Sequence, residues 1–211
     1  ILRWLDISGL ALYFLDRIVG LKLADWLPSI VLARLQENLA DNTERTRGMI
    51  AESIAIQQKF QEARLSYANL KGLTLWPNSV PRPELRSQFD LDFLVAEESA
   101  PEARSILEQS GYRLYVVSGR SWEFKLNEKP GVSLKDLYKP LPSHAVELHI
   151  ESNVPGCSSP LERVERRNLH GCMMPVLSPI DLFLGQGLHA YKHVCSEFSR
   201  VAHLLEFRRH V

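Results

Sequence analysis

The chain has 211 residues, of which 45% are apolar and 24% charged, and this length accommodates one sizeable globular domain or one domain with a helical extension. Its 25 basic and 25 acidic residues give a formal net charge of zero, so a long nucleic-acid-binding surface is not expected. Three widely spaced cysteines without a CxxC pair argue against a disulfide framework and a zinc knuckle, and they fit reduced thiols in a cytoplasmic protein.

The N-terminal part of the chain predicts helices. Residues 2–40 carry apolar side chains at three- and four-residue spacing, with breaks expected near Gly20 and at Pro28. The polar segment 41–48 predicts a connection, and residues 49–64 predict a second helix. No uncharged run in this region approaches the roughly 20 residues that a membrane-spanning helix needs, so no membrane partner is expected.

From residue 66 onward the pattern changes to short alternating segments. In chain order these predict a strand over 66–70, a loop over 77–83, a strand over 89–95, a helix over 98–110, a hairpin from 112–117 and 122–126, a loop over 127–143, a strand over 145–150 and a turn at 155–156. The chain is expected to end in helices, the last from about Pro179. This order predicts an α/β or α+β core with helices at both ends.

Two acidic residues in the strand predicted over 89–95 point to chemistry. Alternate side chains of a strand share a face, so Asp90 and Asp92 lie together on the face opposite the apolar residues. Like charges at this spacing repel, and a divalent cation such as Mg²⁺ would compensate them. By itself this pattern is equally compatible with a solvent-facing strand whose acids only confer solubility.

A second strand carries the same division into an acidic and an apolar face. In residues 145–150 the apolar side chains alternate with Glu147 and His149, and Glu151 follows in the same phase. If this strand lies next to the one that carries Asp90 and Asp92, three carboxylates converge and can hold metal ions for an in-line displacement at phosphorus.

The triplet Leu70-Lys71-Gly72 lies upstream of the paired aspartates. Glycine lets a phosphate approach the backbone closely, and Lys71 can supply a point charge to a triphosphate. The triplet alone is common in turns, and its interest comes from its position relative to the acids.

With these pieces in place, the chain resembles the nucleotidyltransferase superfamily of the DNA polymerase β type, in particular its branch of uncharacterised bacterial nucleotidyltransferases. The resemblance covers roughly residues 50–205. It is carried by a set of short motifs in the family's order. These are Leu70-Lys71-Gly72, Arg86, Asp90-Leu91-Asp92, Leu94-Val95, Glu147-Leu148-His149, His189 and Lys192-His193.

The resemblance implies an α+β fold, a polymerase-β-like core of a mixed sheet with flanking helices, plus N-terminal and C-terminal helices. The expected division is a helical extension over 1–48, the core over 49–155 and a C-terminal helical region over 156–211. It also implies Mg²⁺ or Mn²⁺ as cofactor, a nucleoside triphosphate, and transfer of a nucleotidyl group to an unidentified small molecule, peptide or protein.

The resemblance also implies roles for individual residues. Asp90, Asp92 and Glu147 would bind the metals and act in catalysis, with Glu147 helping to deprotonate the acceptor hydroxyl. The residues expected to bind the nucleotide are Lys71, Gly72, Arg86, His189, Lys192 and His193.

Alternative roles are open for several residues in or near this set. Glu151 is a rival for the third carboxylate, and His149 fits either a supporting position beside Glu147 or an exposed strand face. The spacing of His189 and His193 also suits zinc, although the glutamate of an HExxH motif is absent. Trp76 stands beside the expected site, where it could stack on a base or simply pack.

Three functional hypotheses remain open at this level. The first is the nucleotidyltransferase, with action on tRNA as a special case that the neutral charge disfavours. The second is an inactive module of the same fold that binds a nucleotide or a partner. The third is a metal-dependent hydrolase that uses the histidines.

Overall fold

The computed structural model describes residues 1–126, 136–141, 143–151, 156, 158–195 and 200–210. Within these ranges the helices are α1 (Leu2–Ser8), α2 (Ala11–Gly20), α3 (Ser29–Glu62), α4 (Ala100–Gln109), α5 (Pro179–Val194) and α6 (Ala202–His210). The strands are β1 (Tyr67–Asn69), β2 (Asp90–Val95), β3 (Arg113–Ser118), β4 (Ser121–Lys125), β5 (Ala145–Ile150), β6 (Glu165–Leu169) and β7 (Cys172–Val176).

All seven strands join one mixed sheet in the order β3-β4-β5-β2-β1-β7-β6. The pairs β2–β5 and β1–β7 are parallel, and the other neighbouring strands are antiparallel. The sheet with its flanking helices confirms the predicted α+β class. Its centre is formed by β5 and β2, the two strands that carry the predicted acids.

The main core lies between one face of the sheet and helices α3 and α4. Alternation along β2 turns Leu91, Phe93 and Val95 to this face, and all three are buried. Phe60 of α3 packs edge-on against Phe93, with ring centroids 5.5 Å apart. Covering this face leaves the opposite face of β2 and β5 for the acidic residues.

The predicted connection over 41–48 is wrong, because α3 runs through it without a break. Two of the polar residues there, Asn42 and Arg45, face protein partners, whereas Glu44 and Arg47 face solvent. The Asn42 side chain donates hydrogen bonds to the carbonyls of Glu84 and Arg86, at 2.7 and 3.2 Å, and Arg45 is almost fully buried. The polar stretch that predicts a loop therefore belongs to a long helix with one buried and one exposed face.

The C-terminal part also differs from the prediction, because strands β6 and β7 precede the helices. They form a hairpin whose two-residue turn is His170-Gly171, and both residues have positive φ, at 55° and 79°. This is the backbone that tight hairpin turns favour. The single helix predicted from Pro179 is two helices, α5 and α6.

Other predicted elements are confirmed. The strands over 66–70, 89–95 and 145–150, the helix over 98–110 and the hairpin of β3 and β4 all exist within a few residues of the expected bounds. Most of the predicted loop over 127–143 and part of the turn at 155–156 lie outside the described residues.

The division at residues 48 and 155 stays a prediction, and its first boundary falls inside α3. In the described part of the chain, every helix is too short or too polar to cross a membrane.

Both ends of the chain meet at one edge of the core. A second cluster of buried side chains joins α1, α2 and the first turns of α3 to Leu85 and to Ala202 of α6. Leu85 lies just before β2, so the terminal helices pack against the segment that leads into the acidic strand. This packing brings α5 and α6 beside the acidic face of the sheet.

Candidate active site

Asp92 and Glu147 are direct neighbours on adjacent strands. Strands β2 and β5 run parallel with Asp92 opposite Glu147, which confirms the adjacency that the sequence analysis required. The Asp92 side chain is fully buried, and the Ser121 hydroxyl of β4 donates a hydrogen bond to Glu147. The paired register therefore holds two carboxylates side by side on one face of the sheet.

His149 connects these two acids. Its Nε2 lies 3.2 Å from Asp92 Oδ1 and 3.4 Å from Glu147 Oε2. One ligand atom from each of Asp92, Glu147 and His149 falls within 4.8 Å of the others, a spacing that can hold a metal ion. His149 therefore supports the acids directly and does not sit on an unused strand face.

Lys71 reaches the same carboxylate from the end of β1. Its Nζ lies 3.2 Å from Asp92 Oδ1. Burial lowers the pKa of Lys71, but the charges of Asp92 and Asp90 outweigh it and raise the pKa above its usual value. The ammonium group is thus a permanent positive charge beside the acids at neutral pH.

Gly72 follows Lys71 with a φ of +69°, a left-handed conformation that favours glycine. A Cβ at this position would lie 2.1 Å from Gln88 Nε2. Gln88 in turn donates to the backbone carbonyl of Asp90 at 2.7 Å and accepts from Arg86 Nη1 at 2.9 Å. The glycine therefore makes room for the side chain that links Arg86 to the acidic strand.

The acids differ in how readily they hold a proton. Burial and the charge of Asp92 raise the pKa of Asp90 to about 6. Hydrogen bonding to His149 lowers the pKa of Glu147 to about 2. Burial lowers the pKa of His149, yet its bonds to Asp92 and Glu147 prevail and raise it to about 9. At neutral pH the protonated His149 and Lys71 therefore both place positive charge beside Asp92.

The donor set fits a divalent cation with oxygen ligands. Asp92 Oδ2 is buried and has no hydrogen-bond partner among the described residues, which is costly for a carboxylate oxygen. A cation bound there would satisfy this atom and offset the remaining negative charge. Carboxylate oxygens are the ligands that Mg²⁺ and Mn²⁺ prefer, so the residues present fit either ion.

A cavity of about 270 Å³ opens beside the acids, between the sheet and α5. Lys71, Arg86, His189 and Lys192, all predicted to bind the nucleotide, line this cavity together with His149. The sequence-predicted residues from the β1 turn, the segment before β2 and helix α5 therefore meet at one place.

Arg86 is held by a residue that the sequence analysis missed. Its Nε lies 3.3 Å from Glu206 Oε2 on α6, and both side chains are nearly buried. Tyr13 of α2 donates a hydrogen bond to Glu206 Oε1 at 2.9 Å. Burial raises the pKa of Glu206, but Arg86 and the hydrogen bonds lower it to about 2. Because these partners lie up to 193 positions apart, no local pattern could reveal them.

His193 lies one helical turn beyond His189 and outside the described cavity wall. The rings of His189, His193 and His203 form a compact group with centroids 4.5 to 4.6 Å apart. His203 belongs to α6 and was not predicted. Burial, followed by the charge of Lys71, lowers the pKa of His189 to about 3, so its imidazole is neutral at neutral pH.

Two alternative candidates lie elsewhere. Glu151 follows the last residue of β5, and its carboxylate accepts a hydrogen bond from Ser159. The Trp76 ring packs against His170 at a centroid distance of 5.2 Å. Neither residue is among the described residues that line the cavity.

Known structures share the fold. The antibiotic-resistance factor ANT(2'')-Ia, in a crystal structure with adenylyl-2''-tobramycin, is 13% identical with a TM-score of 0.53, over 77% of this chain and 86% of that one. Its solution structure gives 13% identity and a TM-score of 0.51, over 79% and 83% of the two chains.

Comparison with curated proteins gives no match. The sequence matches the family described as "uncharacterised nucleotidyltransferase" over residues 1–211. The match spans the whole length, including both sets of terminal helices. The chain therefore belongs to this nucleotidyltransferase family.

Proposed function

We propose that the protein transfers the nucleotidyl group of a nucleoside triphosphate to an acceptor and depends on Mg²⁺ or Mn²⁺. The observation that carries the proposal is the pairing of Asp92 with Glu147 on adjacent parallel strands, with one buried Asp92 oxygen lacking a partner among the described residues. This arrangement supports cation binding at the mouth of a cavity lined by basic side chains.

Asp90, Asp92 and Glu147 would hold the metal. When bound, the ion supplies positive charge to the phosphate oxygens and lowers the cost of charge development during the transfer. Burial and the charge of Asp92 raise the pKa of Asp90 to about 6 against the opposing charges of Lys71 and Arg86, and a bound cation would favour its ionised form.

The cations that line the cavity would bind the triphosphate. Lys71 lies 3.2 Å from Asp92, so a phosphate near the acids would be within reach of its ammonium group. Arg86 offers a planar guanidinium for phosphate oxygens and is fixed by Glu206. His189 and Lys192 extend this wall along α5, whereas the predicted role of His193 has less direct support because it lies outside the described cavity wall.

Glu147 suits metal binding better than proton abstraction. A pKa of about 2 makes its carboxylate a weak base, although proton removal from the acceptor by Glu147 stays a prediction. His149 is protonated at neutral pH and orients both acids from one side. It is a positioning residue in this proposal.

The acceptor belongs to one of three classes: a small molecule, a peptide or a protein. The ANT(2'')-Ia complex contains an adenylylated small molecule, which illustrates the first class for a protein of the same fold. We also keep two expectations: a cytoplasmic protein, from the widely spaced cysteines, and an acceptor other than nucleic acid, from the balanced charge.

The test is incubation with each labelled nucleoside triphosphate and Mg²⁺ or Mn²⁺ in a lysate of the source organism, followed by mass spectrometry of nucleotidyl adducts. The Asp92→Asn and Glu147→Gln variants are expected to lose about 100-fold or more of the transfer rate. Glu151→Gln is the matched control, because Glu151 lies at the end of the same strand but bonds to Ser159.

Two outcomes would contradict the proposal. An adduct that persists in the Asp90→Asn, Asp92→Asn double variant would remove the acids from the mechanism. Binding of triphosphate without pyrophosphate release in any lysate fraction would instead favour the inactive binding module. Loss of transfer in Glu151→Gln with full activity in Glu147→Gln would move the third-acid role to Glu151.

A further inference from the structure

We propose that His189, His193 and His203 form a binding site for Zn²⁺ that is separate from the carboxylates. Each histidine offers a ring nitrogen, and the three nitrogens lie within 4.8 Å of one another. Tetrahedral zinc with Zn–N bonds of about 2.0–2.1 Å needs its ligand nitrogens about 3.4 Å apart, so small side-chain rotations suffice.

Two packed helices position the three rings. His189 and His193 are four residues apart on α5 and therefore share one face of the helix. His203 stands near the start of α6, which packs against that face. A Cβ on Gly187 would lie 3.4 Å from the Phe207 ring, so glycine at this position allows α5 and α6 to approach closely.

A buried carboxylate supports the third ligand. His203 Nδ1 lies 3.4 Å from Glu206 Oε2, which leaves Nε2 as the nitrogen available for a metal. Glu206 is itself fixed by the Tyr13 hydroxyl at 2.9 Å and by Arg86 Nε at 3.3 Å. A carboxylate bonded to the second nitrogen of a histidine is the usual support of zinc ligands, because it sets the tautomer and orients the ring.

The positive charges of Lys71 and Arg86 do not prevent a metal cation from binding to the three histidines. Lys71 lies 3.2 Å from Asp92, and Arg86 lies 3.3 Å from Glu206, so each faces a carboxylate that reduces its field at the histidines. Imidazole is also a better ligand for zinc than for Mg²⁺, which favours oxygen. The two groups of ligands are thus chemically distinct.

Three histidines leave one coordination position of a tetrahedral ion for water or another donor. His189 and His203 line the same cavity as Lys71 and Arg86. A ligand bound in that cavity would therefore lie beside two of the three proposed zinc ligands. The proposal stands without any nucleotidyl transfer, because it requires only that the full chain binds the ion.

The test uses the full chain without an affinity tag, stripped of metal with a chelator and titrated with Zn²⁺ alone by calorimetry. Co²⁺ serves as the spectroscopic probe, because tetrahedral nitrogen coordination gives intense visible absorption. We expect one equivalent of Zn²⁺ bound at submicromolar concentration and the tetrahedral Co²⁺ spectrum. His189→Gln and His193→Gln should each weaken binding by about 100-fold or more, given that loss of a supporting carboxylate alone costs roughly 10–100-fold.

His210→Gln is the matched control, since His210 lies on α6 but bonds to Ser79 and Gln186. The Asp90→Asn, Asp92→Asn variant should bind Zn²⁺ as the wild type does. The proposal is overturned if the wild type binds no Zn²⁺ at micromolar concentration or shows an octahedral Co²⁺ spectrum. It is equally overturned if only the aspartate variant loses Zn²⁺. The wild-type measurements decide the matter even if a histidine variant fails to fold.

Discussion

His149 links the acids of the candidate site. Its Nε2 lies within 3.4 Å of both Asp92 and Glu147, and it comes from the same strand as Glu147. Without a metal, this imidazolium and Lys71 supply the positive charge that two adjacent carboxylates on a sheet require. The residue therefore couples the stability of the metal-free protein to pH.

We expect the metal-free wild type to lose roughly 1–2 kcal/mol of unfolding free energy between pH 7 and pH 9.5. The pKa of His149 rises to about 9 in the folded protein, above its unfolded value of about 6.5. A raised pKa gives stability that is full below the unfolded pKa and is lost as pH rises through the folded one. The magnitude is discounted because about a third of the side chain, 32%, is exposed.

Urea unfolding in the presence of a chelator measures this change, with His149→Gln as the comparison. The variant should lack this part of the pH dependence, because glutamine does not titrate. If the unfolding free energy of both proteins falls equally as the pH rises, groups other than His149 cause the loss.

At the scale of elements, the turn from β1 into Gly72 determines how Arg86 meets the acidic strand. Gly72 has a φ of +69°, and Gln88 fills the space where a Cβ would stand. The same Gln88 contacts Arg86 and the backbone of Asp90. Gly72 thus leaves the space that Gln88 needs in order to link Arg86 to the strand that carries Asp90.

Gly72→Ala should lower the unfolding free energy by roughly 1–3 kcal/mol and raise the KM for the triphosphate. The left-handed backbone alone costs an L-residue about 1–2 kcal/mol, and displacement of Gln88 adds to this cost. In a Gln88→Ala background the same substitution should cost less, since the clash is gone. Urea unfolding and steady-state kinetics provide the two measurements.

The control is Gly20→Ala, because a Cβ there meets no heavy atom within 4 Å. It should leave stability unchanged or raise it by up to about 1 kcal/mol, as alanine favours helix over glycine. Equal effects at both glycines would contradict the role assigned to Gly72.

The elements that the sequence predicted best are those whose pattern is local. In β2 and β5 the apolar and acidic residues alternate strictly, so both strands and the faces that carry their acids could be predicted from the sequence. The pairing of the two strands is a long-range contact, which alternation alone does not predict. The continuity of α3 through residues 41–48 could not be predicted either, because Asn42 and Arg45 are satisfied by backbone carbonyls far along the chain. The β6–β7 hairpin could have been predicted from the turn residues His170-Gly171.

Contacts between distant parts of the chain also explain which site residues could not be predicted. Lys71, Arg86 and the acids lie in recognisable short motifs, and the structure places them around one cavity. Glu206 and His203 lie on α6, where nothing in the local sequence distinguishes them from surface residues. Their positions follow from the packing of both chain ends against the segment before β2.

At the scale of the whole molecule, the terminal helices are part of the site's support. Glu206 of α6 pairs with Arg86 and is itself fixed by Tyr13 of α2, and Asn42 of α3 donates to the carbonyl of the same arginine. These contacts join the beginning, middle and end of the chain within a few ångströms. The expected helical extension therefore contacts residues of the candidate site.

Arg45, about one turn after Asn42 on the buried face of α3, attaches a further segment. It is 1% exposed, and its guanidinium donates to the carbonyls of Asp136, Leu137 and Lys139. Strong donors directed at several backbone carbonyls attach the segment over 136–141 to the long helix. A buried charge bound in this way is expensive to replace, because its acceptors lose their partners together.

Arg45→Met should therefore lower the unfolding free energy by roughly 3 kcal/mol, even though methionine keeps much of the apolar volume. Arg47→Met is the matched control on the same helix, because the Arg47 side chain is 71% exposed and pairs with Glu44 at the surface. Its effect should stay within about 0.5 kcal/mol. Urea unfolding of both variants at neutral pH makes the comparison. A loss at Arg45 as small as that at Arg47 would mean that the 136–141 segment contributes little to the stability of the fold.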